Sequence, residues 1–206
     1  MEMKRLDLAE TFRDAFSIGL KNAPSVIAAL LLWLVTIWIP YLNVGTTIAM
    51  SLLPIELAKG GVINPLGIFD SKYRRYMGEF FITAVLKGLG TVIGLLFLYI
   101  PGIVLSLAWS LAFYFLIEKG KNPIEAIKAS NDATYGNKWN IFGMTLLLVL
   151  IFYVVCLAFV GIGILCQNSA LMLLMIILAV VAVLIFVSIS MAFRASIWKQ
   201  LKVNVQ

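Results

Sequence analysis

The sequence predicts an all-α polytopic membrane protein: six transmembrane helices arranged as three hairpins, each preceded by an interfacial amphipathic helix. Of its 206 residues, 62% are hydrophobic and only 13% are charged, and the mean hydropathy is +1.02. A soluble domain is about half apolar and about a quarter charged, so this chain is expected to lie in a bilayer. The apolar stretches are continuous rather than alternating, which favours helices over the strands of a barrel. We therefore expect one integral membrane domain over residues 1–206.

Six apolar stretches form the predicted spans, because a hydrocarbon core about 30 Å thick is crossed by about 20 helical residues. They cover residues 24–40, 44–57, 80–100, 101–117, 141–165 and 169–193. The second stretch is short and contains Thr46, Thr47, Pro54 and Glu56. It is expected to be tilted, kinked at Pro54 or packed on the inside of the bundle. It should still be helical, because backbone groups in lipid need internal partners.

The distribution of basic residues predicts the topology. All of the 16 Lys and Arg residues except Lys87 fall in four polar segments, whereas the connections at 41–43, 99–102 and 167–168 carry no charge. Basic residues stay on the cytoplasmic side of a membrane. Six spans place all four segments on one face, which five or seven spans would not do. The expected location is the bacterial plasma (inner) membrane, with both termini cytoplasmic.

A threefold internal repeat is the second prediction about architecture, with repeats at approximately 4–60, 64–120 and 122–195. Its markers recur at intervals of 58 to 61 residues: Gly19, Gly78 and Gly136; Asn64-Pro65 and Asn122-Pro123; Pro40 and Pro101. The three glycines are expected to be hinges between an interfacial helix and a span, and the two prolines to mark outer turns. The alternative is chance similarity among apolar stretches.

Two charged residues, Glu56 and Lys87, are expected inside the hydrocarbon. An ionisable group there is costly and is by default a functional candidate. The two side chains could form an ion pair between the second and third spans, or reach the interface separately by snorkelling. A third interpretation is a solute or proton site.

A basic cluster formed by Lys72, Arg74 and Arg75 is a candidate contact for anionic lipid headgroups, since a basic residue near a membrane surface contributes about 1 kcal/mol. Ordinary cytoplasmic anchoring is the alternative. The cluster is short and attached to the bilayer, so nucleic acid is not an expected partner. Gly90 and Gly94 form a small-x-x-x-small pattern, which favours packing within the second hairpin over dimerisation.

The sequence offers no catalytic machinery that we can identify. It has no histidine, and all of its ten carboxylates except Glu56 are scattered through the polar segments. A metal-dependent enzyme needs clustered ligands. No nucleotide-binding loop or nucleophile motif occurs. We therefore expect no catalytic residue, no metal site and no cofactor.

Part of the chain resembles a known family. Ile100-Pro101-Gly102 is followed by Asn-Pro-Ile-Glu-Ala-Ile-Lys-Ala-Ser at 122–130 and by Thr134-Tyr135-Gly136 before an aromatic-rich span. This pattern is similar to bacterial integral membrane proteins related to YciC and to the membrane domain of glycerophosphodiester phosphodiesterases. The resemblance covers about a quarter of the chain and implies a multi-span plasma-membrane protein. It implies no catalytic residue, since the chemistry of those phosphodiesterases belongs to a separate soluble domain.

These observations predict a non-enzymatic plasma-membrane protein that is accessory to transport, lipid handling or envelope maintenance. Its expected partners are the lipid bilayer, anionic lipids, and a membrane protein or a second copy of the chain. The alternative is a small-solute permease or channel that uses the junction of the repeats, and a membrane enzyme is the least favoured reading. A polar cavity lined by Glu56, Lys87, Thr46 and Thr47 would favour the permease, and a dry, packed centre the accessory protein.

Overall fold

A computed structural model describes residues 4–165 and 169–205, and the regular structure in these two ranges is helical. The helices are α1 (Leu8–Thr36), α2 (Leu42–Leu57), α3 (Lys72–Arg75), α4 (Met77–Phe97), α5 (Tyr99–Ala108), α6 (Ala112–Glu118), α7 (Pro123–Thr134), α8 (Lys138–Leu165) and α9 (Ser169–Leu201). Short 3-10 turns cover Pro65–Phe69 and Lys202–Asn204. The all-α prediction is confirmed for the described residues. The uncharged connection predicted at 167–168 lies outside them.

Five segments of the described chain are long and apolar enough to cross a membrane: α1, α4, α5 with α6, α8 and α9. This supports a membrane-embedded protein. The remaining candidate, α2, has 16 residues, which gives a length of about 24 Å. Ten of those residues are buried. The helix is therefore packed on the inside of the bundle, which was one of the three arrangements expected for it.

Helices α1 and α9 pack against each other and form the most extensive contact between helices of the described residues. The two helices approach closely at Gly19, where an added Cβ would lie 2.7 Å from the Ile189 Cα. The Ser188 hydroxyl donates a 2.7 Å hydrogen bond to the Gly19 carbonyl. Because α1 is continuous from Leu8 to Thr36, the predicted hinge at Gly19 is wrong. The glycine is needed for contact between two helices, not for a change of direction.

The other predicted hinges differ among themselves. Gly78 lies in the first turn of α4, and Gly136 lies between α7 and α8 at φ 75°, in the left-handed region. Pro40 lies in the turn between α1 and α2. Pro101 lies inside the first turn of α5, after a chain reversal at Leu98, whose backbone is extended.

The three predicted interfacial helices take three different forms. The first is the beginning of α1, the second is a 3-10 turn followed by the four-residue α3, and the third is the separate helix α7. Only α7 has the form that the sequence predicts. Pro123 occupies its first turn, and Asn122 and Glu125 form a reciprocal capping box, which satisfies two amides at the helix start.

A break divides the span Tyr99–Glu118 into α5 and α6. The hydroxyl of Ser130 on α7 bridges it: it donates to the Ala108 carbonyl at 2.7 Å and accepts from the Leu111 amide at 3.0 Å. The Thr134 hydroxyl lies 3.3 Å from the same carbonyl. Backbone groups inside a membrane require such partners, so α7 makes the break possible.

The two ends of the described chain meet at one end of the bundle. The Lys4 amide donates to Asn204 Oδ1 at 2.9 Å, and the Leu6 amide donates to Asn137 Oδ1 at 2.8 Å. A buried hydrogen bond of 3.0 Å joins Gln200 on α9 to Thr11 on α1. The starts of α1 and α8 and the end of α9 therefore share one face, which we call the terminal face.

The segment between α2 and α4 folds back beside α2 instead of extending beyond its C-terminal end. The aliphatic part of Arg74 lies against Gly45, in the first turn of α2. Gly45 precedes Glu56 by about three helical turns. The sequence gives no sign of this arrangement, because it depends on contacts between segments.

Candidate functional site

Glu56 and Lys87 do not form an ion pair with each other, which was one of the three interpretations of these residues. Glu56 Oε2 lies 2.6 Å from the ammonium of Lys59, one turn later in the chain. The Lys87 ammonium lies 4.2 Å from the centroid of the Phe113 ring on α6. Residues three apart on a helical turn are neighbours, so Lys59 can neutralise the charge of Glu56 without a partner from another helix.

The polar cavity of Glu56, Lys87, Thr46 and Thr47 that would have favoured a permease is not formed by the described residues. Thr46 is buried, and its hydroxyl lies 3.1 Å from that of Thr36. The Thr47 hydroxyl accepts a 2.9 Å hydrogen bond from the Trp33 indole. Both threonines therefore join α1 to α2, and Lys87 faces a different space.

That space is a cavity of about 470 Å³ between the α4–α5–α6 segment and the α8–α9 pair. Lys87 from α4 and Arg194 from α9 are its two charged residues. Its other polar lining groups are Ser106, Ser110, Tyr114, Thr145 and Ser190. The rest of the wall is apolar. We call this space the cationic cavity.

Helical spacing explains how the sequence assembles the cavity wall. On α9, residues 186, 190, 193, 194 and 197 line it, and this spacing places them on one face of a helix. Ser106 and Ser110 are also four apart, although the break between α5 and α6 begins just before Ser110. Ser110 and Leu111, which lie in the break, thus belong to the cavity wall.

The two cations of the cavity have no acidic partner. The described residues form five ion pairs, and neither Lys87 nor Arg194 belongs to any of them. No carboxylate lines the cavity. Lys87 is half-buried and Arg194 is exposed, so the cost of an unpaired charge in apolar surroundings falls mainly on Lys87. The contact of its ammonium with the Phe113 ring offsets only part of that cost. The cavity is therefore suited to a negatively charged group.

The hydroxyl groups of the cavity can support such a ligand. Those of Ser106, Ser110, Thr145 and Ser190 each donate to a carbonyl of the same chain segment, at 2.7–2.8 Å. Each hydroxyl can rotate and donate to a ligand instead. Among the described residues, the Tyr114 hydroxyl takes part in no hydrogen bond that the structure shows. The cavity thus combines two cations with five donors for an oxyanion.

The cluster predicted to bind anionic lipids is not uniform. Lys72 is exposed, and its ammonium lies 3.3 Å from Asp70 Oδ2. The Lys72 amide also donates to Asp70 Oδ1 at 2.9 Å, and this backbone hydrogen bond is the main cause that lowers the pKa of Asp70 below 3.8. Arg74 is half-buried beside α2, whereas Arg75 is exposed. Arg75 is therefore the member with the freest charge for a headgroup.

Sequence reasoning missed Arg194 because it was grouped with the basic residues after the last span. The signal that could have found it is the pairing of Ser190 with Arg194, four residues apart inside an apolar helix. The pairing of Ser106 with Ser110 is a second signal of the same kind. Groups of three His, Cys, Asp or Glu residues that could hold a metal ion do not occur in the described residues.

Comparison of the chain with models of protein families, with curated proteins and with solved structures finds no match. The cationic cavity and the fold around it are thus the basis on which a function can be argued.

Proposed function

We propose that this protein is a non-enzymatic multi-pass membrane protein that binds an anionic ligand in the cationic cavity, in the service of lipid handling or transport. The observation that carries the proposal is the presence of Lys87 and Arg194 in one cavity without a lining carboxylate. An anion that enters the cavity would compensate both charges. The oxyanion of a phosphate group has the right chemistry, whether it belongs to a lipid or to a free solute.

The expected strength follows from the chemistry of charged hydrogen bonds. A hydrogen bond to a charged group contributes about 1.5–3 kcal/mol, which corresponds to roughly 10- to 150-fold in affinity. Loss of either cation should therefore weaken binding by at least about tenfold.

The test is binding of phosphatidylglycerol to the purified full chain in a neutral detergent, compared with phosphatidylcholine of the same acyl chains. Displacement of a fluorescent phosphatidylglycerol analogue reports the affinity. Lys87→Met and Arg194→Met should each weaken binding of the anionic lipid. Lys119→Met, which removes an exposed charge outside the cavity, is the matched control. Equal binding of the two lipids, with no effect of either cavity variant, would overturn the proposal.

A small-solute permease is the second candidate, and the broken span favours it. Ser110 and Leu111 at the break both line the cavity, and transporters often use discontinuous helices at their binding sites. This support is an analogy between folds. Uptake of phosphate into proteoliposomes that contain the full chain distinguishes the two: flux abolished by Lys87→Met indicates a permease, and binding without flux indicates lipid handling.

We also propose that six spans cross the bacterial plasma membrane, with α2 as the return leg of the first hairpin and both termini cytoplasmic. The contact between Lys4 and Asn204 supports an even number of crossings, and the uncharged turn at 41–43 supports an outer location for it. The position of Arg74 beside Gly45 favours a shallower α2. Labelling of the turn decides between the two.

A further inference from the structure

We propose that the ligand of the cationic cavity is an anionic phospholipid, whose headgroup occupies the cavity and whose acyl chain lies in an adjoining apolar groove. This inference rests on the function proposed above and specifies its ligand. The groove has a volume of about 250 Å³ and is formed by α8, α9 and the Phe16 side chain of α1. Its wall among the described residues is apolar.

The groove and the cavity are neighbours because they share two wall residues, Leu148 of α8 and Phe186 of α9. The Phe186 ring is stacked on that of Phe152, with centroids 4.0 Å apart. Because the cavity is lined by two cations and the groove is apolar, a single molecule that occupies both must be charged at one end and apolar at the other. A free phosphate ion would use the cavity alone.

The order of the two spaces along the helices matches the polarity of a lipid. On α9 the groove extends over 182–189 and the cavity over 186–197, so the cavity is nearer to the C-terminal end of α9. That end lies at the terminal face, where Gln200 is bonded to Thr11. A lipid placed in this way has its headgroup toward the terminal face and its chain toward the opposite side, as in a leaflet that borders that face.

The length of the groove also suits an acyl chain. On α8 its wall runs from Leu148 to Phe159, which is about 16 Å along the helix axis. Lipid tails and apolar side chains are equally apolar, so the bilayer competes with the groove. The charged headgroup therefore supplies the affinity, and the groove determines where the chain lies.

The test uses a phosphatidylglycerol that carries a photoactivatable diazirine in its acyl chain, with the full chain in nanodiscs of phosphatidylcholine. Labelled peptides are located by mass spectrometry. Label should concentrate on residues 151–159 and 182–189. Lys87→Met should reduce that label by at least about tenfold, because the headgroup loses a charged partner. A phosphatidylcholine with the same diazirine should label the exposed helices evenly.

Ala182→Trp, which fills the groove, should remove label from it, and Val183→Trp is the control because Val183 is 43% exposed on the next position of α9. The inference is overturned if phosphatidylglycerol label is spread evenly over α4, α8 and α9, or if inorganic phosphate binds as tightly as the lipid in a Lys87-dependent manner. Either result leaves the anion-binding function intact. Loss of the preference for the anionic lipid in the binding assay would instead overturn that function itself.

Discussion

Gly19 and Ile189 bring α1 and α9 to backbone contact, with 2.7 Å between the position of an added Cβ and the Ile189 Cα. A backbone atom cannot move aside as the end of a flexible side chain can. Gly19→Ala should therefore separate the two helices and lower the free energy of unfolding by about 1–3 kcal/mol.

Thermal unfolding of the purified chain in detergent measures this effect. Gly143→Ala is the matched control, because Gly143 lies inside α8 with no atom near its added Cβ. Alanine should raise stability there by about 0.5–1 kcal/mol. Equal effects of the two substitutions would contradict the close contact.

Ser130→Ala should destabilise the protein through the break between α5 and α6. The Leu111 amide loses its acceptor, and the Ala108 carbonyl keeps only its longer contact with Thr134. A buried group without a partner costs about 1–3 kcal/mol. Hydrogen exchange of residues 108–112 should accelerate together with the loss of thermal stability. Ser71→Ala is the control, since that exposed hydroxyl makes no capping bond, and a similar loss in both variants would argue against the bridging role.

Arg194→Met should have opposite effects on binding and on stability. It removes one of two cations that share a cavity without a carboxylate. The repulsion between the two charges is then lost, which should stabilise the ligand-free protein by on the order of 1 kcal/mol. The same variant should lose affinity for phosphatidylglycerol. Thermal unfolding in neutral detergent, with and without the lipid, checks both effects. A marked destabilisation of the ligand-free variant would indicate that Arg194 has a structural partner instead.

Asp70 should titrate below 3.8, because the Lys72 amide, with a smaller contribution from the Lys72 ammonium, stabilises its charged form. A depressed pKa means that the contact contributes to folding above the unfolded value and is lost as the pH falls through the folded value. Carboxyl NMR of selectively labelled protein measures the midpoint. Lys72→Met should raise it only part of the way to 3.8, since the amide remains. A midpoint at or above 3.8 in the unmodified chain would refute the assignment.

A cysteine at position 43 tests the path of α2. In a variant without the two native cysteines, Asn43→Cys should react with a membrane-impermeant maleimide applied to intact cells, whereas Lys121→Cys should react only after permeabilisation. Labelling of both positions from outside, or of neither, would rule out the six-span arrangement.

Much of the fold could be predicted from the sequence, because apolarity and helix capping are local properties. The all-α class and the start of an amphipathic helix at Asn122-Pro123 follow from residues that are close in the chain. For α2 the sequence left three arrangements open, and the packing of the bundle decides for the inside location. The roles of individual glycines do not follow from nearby residues, since Gly19 serves a contact with a residue 170 positions away, whereas Gly136 serves a turn. Sequence spacing favours both uses equally.

Less of the candidate site than of the fold could be predicted from the sequence. Lys87 lies in an apolar helix as expected, but its neighbours are set by the packing of α4 against α6. The ion pair with Glu56, which was one of the interpretations, is therefore not formed. Arg194 belongs to a helix that continues past the predicted end of the last span at residue 193. Its place in the wall of the cavity becomes visible only when that helix is placed beside α8.

The Ser130 hydroxyl, which bridges the break between α5 and α6, connects α7 to the wall of the cationic cavity. Helix α7 begins and ends in polar sequence. Its Ser130 side chain is hydrogen-bonded to the backbone of Ala108 and Leu111, and Leu111 is part of the cavity wall. If α7 moves as a rigid body, Leu111 must either move with it or lose its hydrogen bond to Ser130. Ser130 thereby couples the position of α7 to the position of Leu111 in the cavity wall.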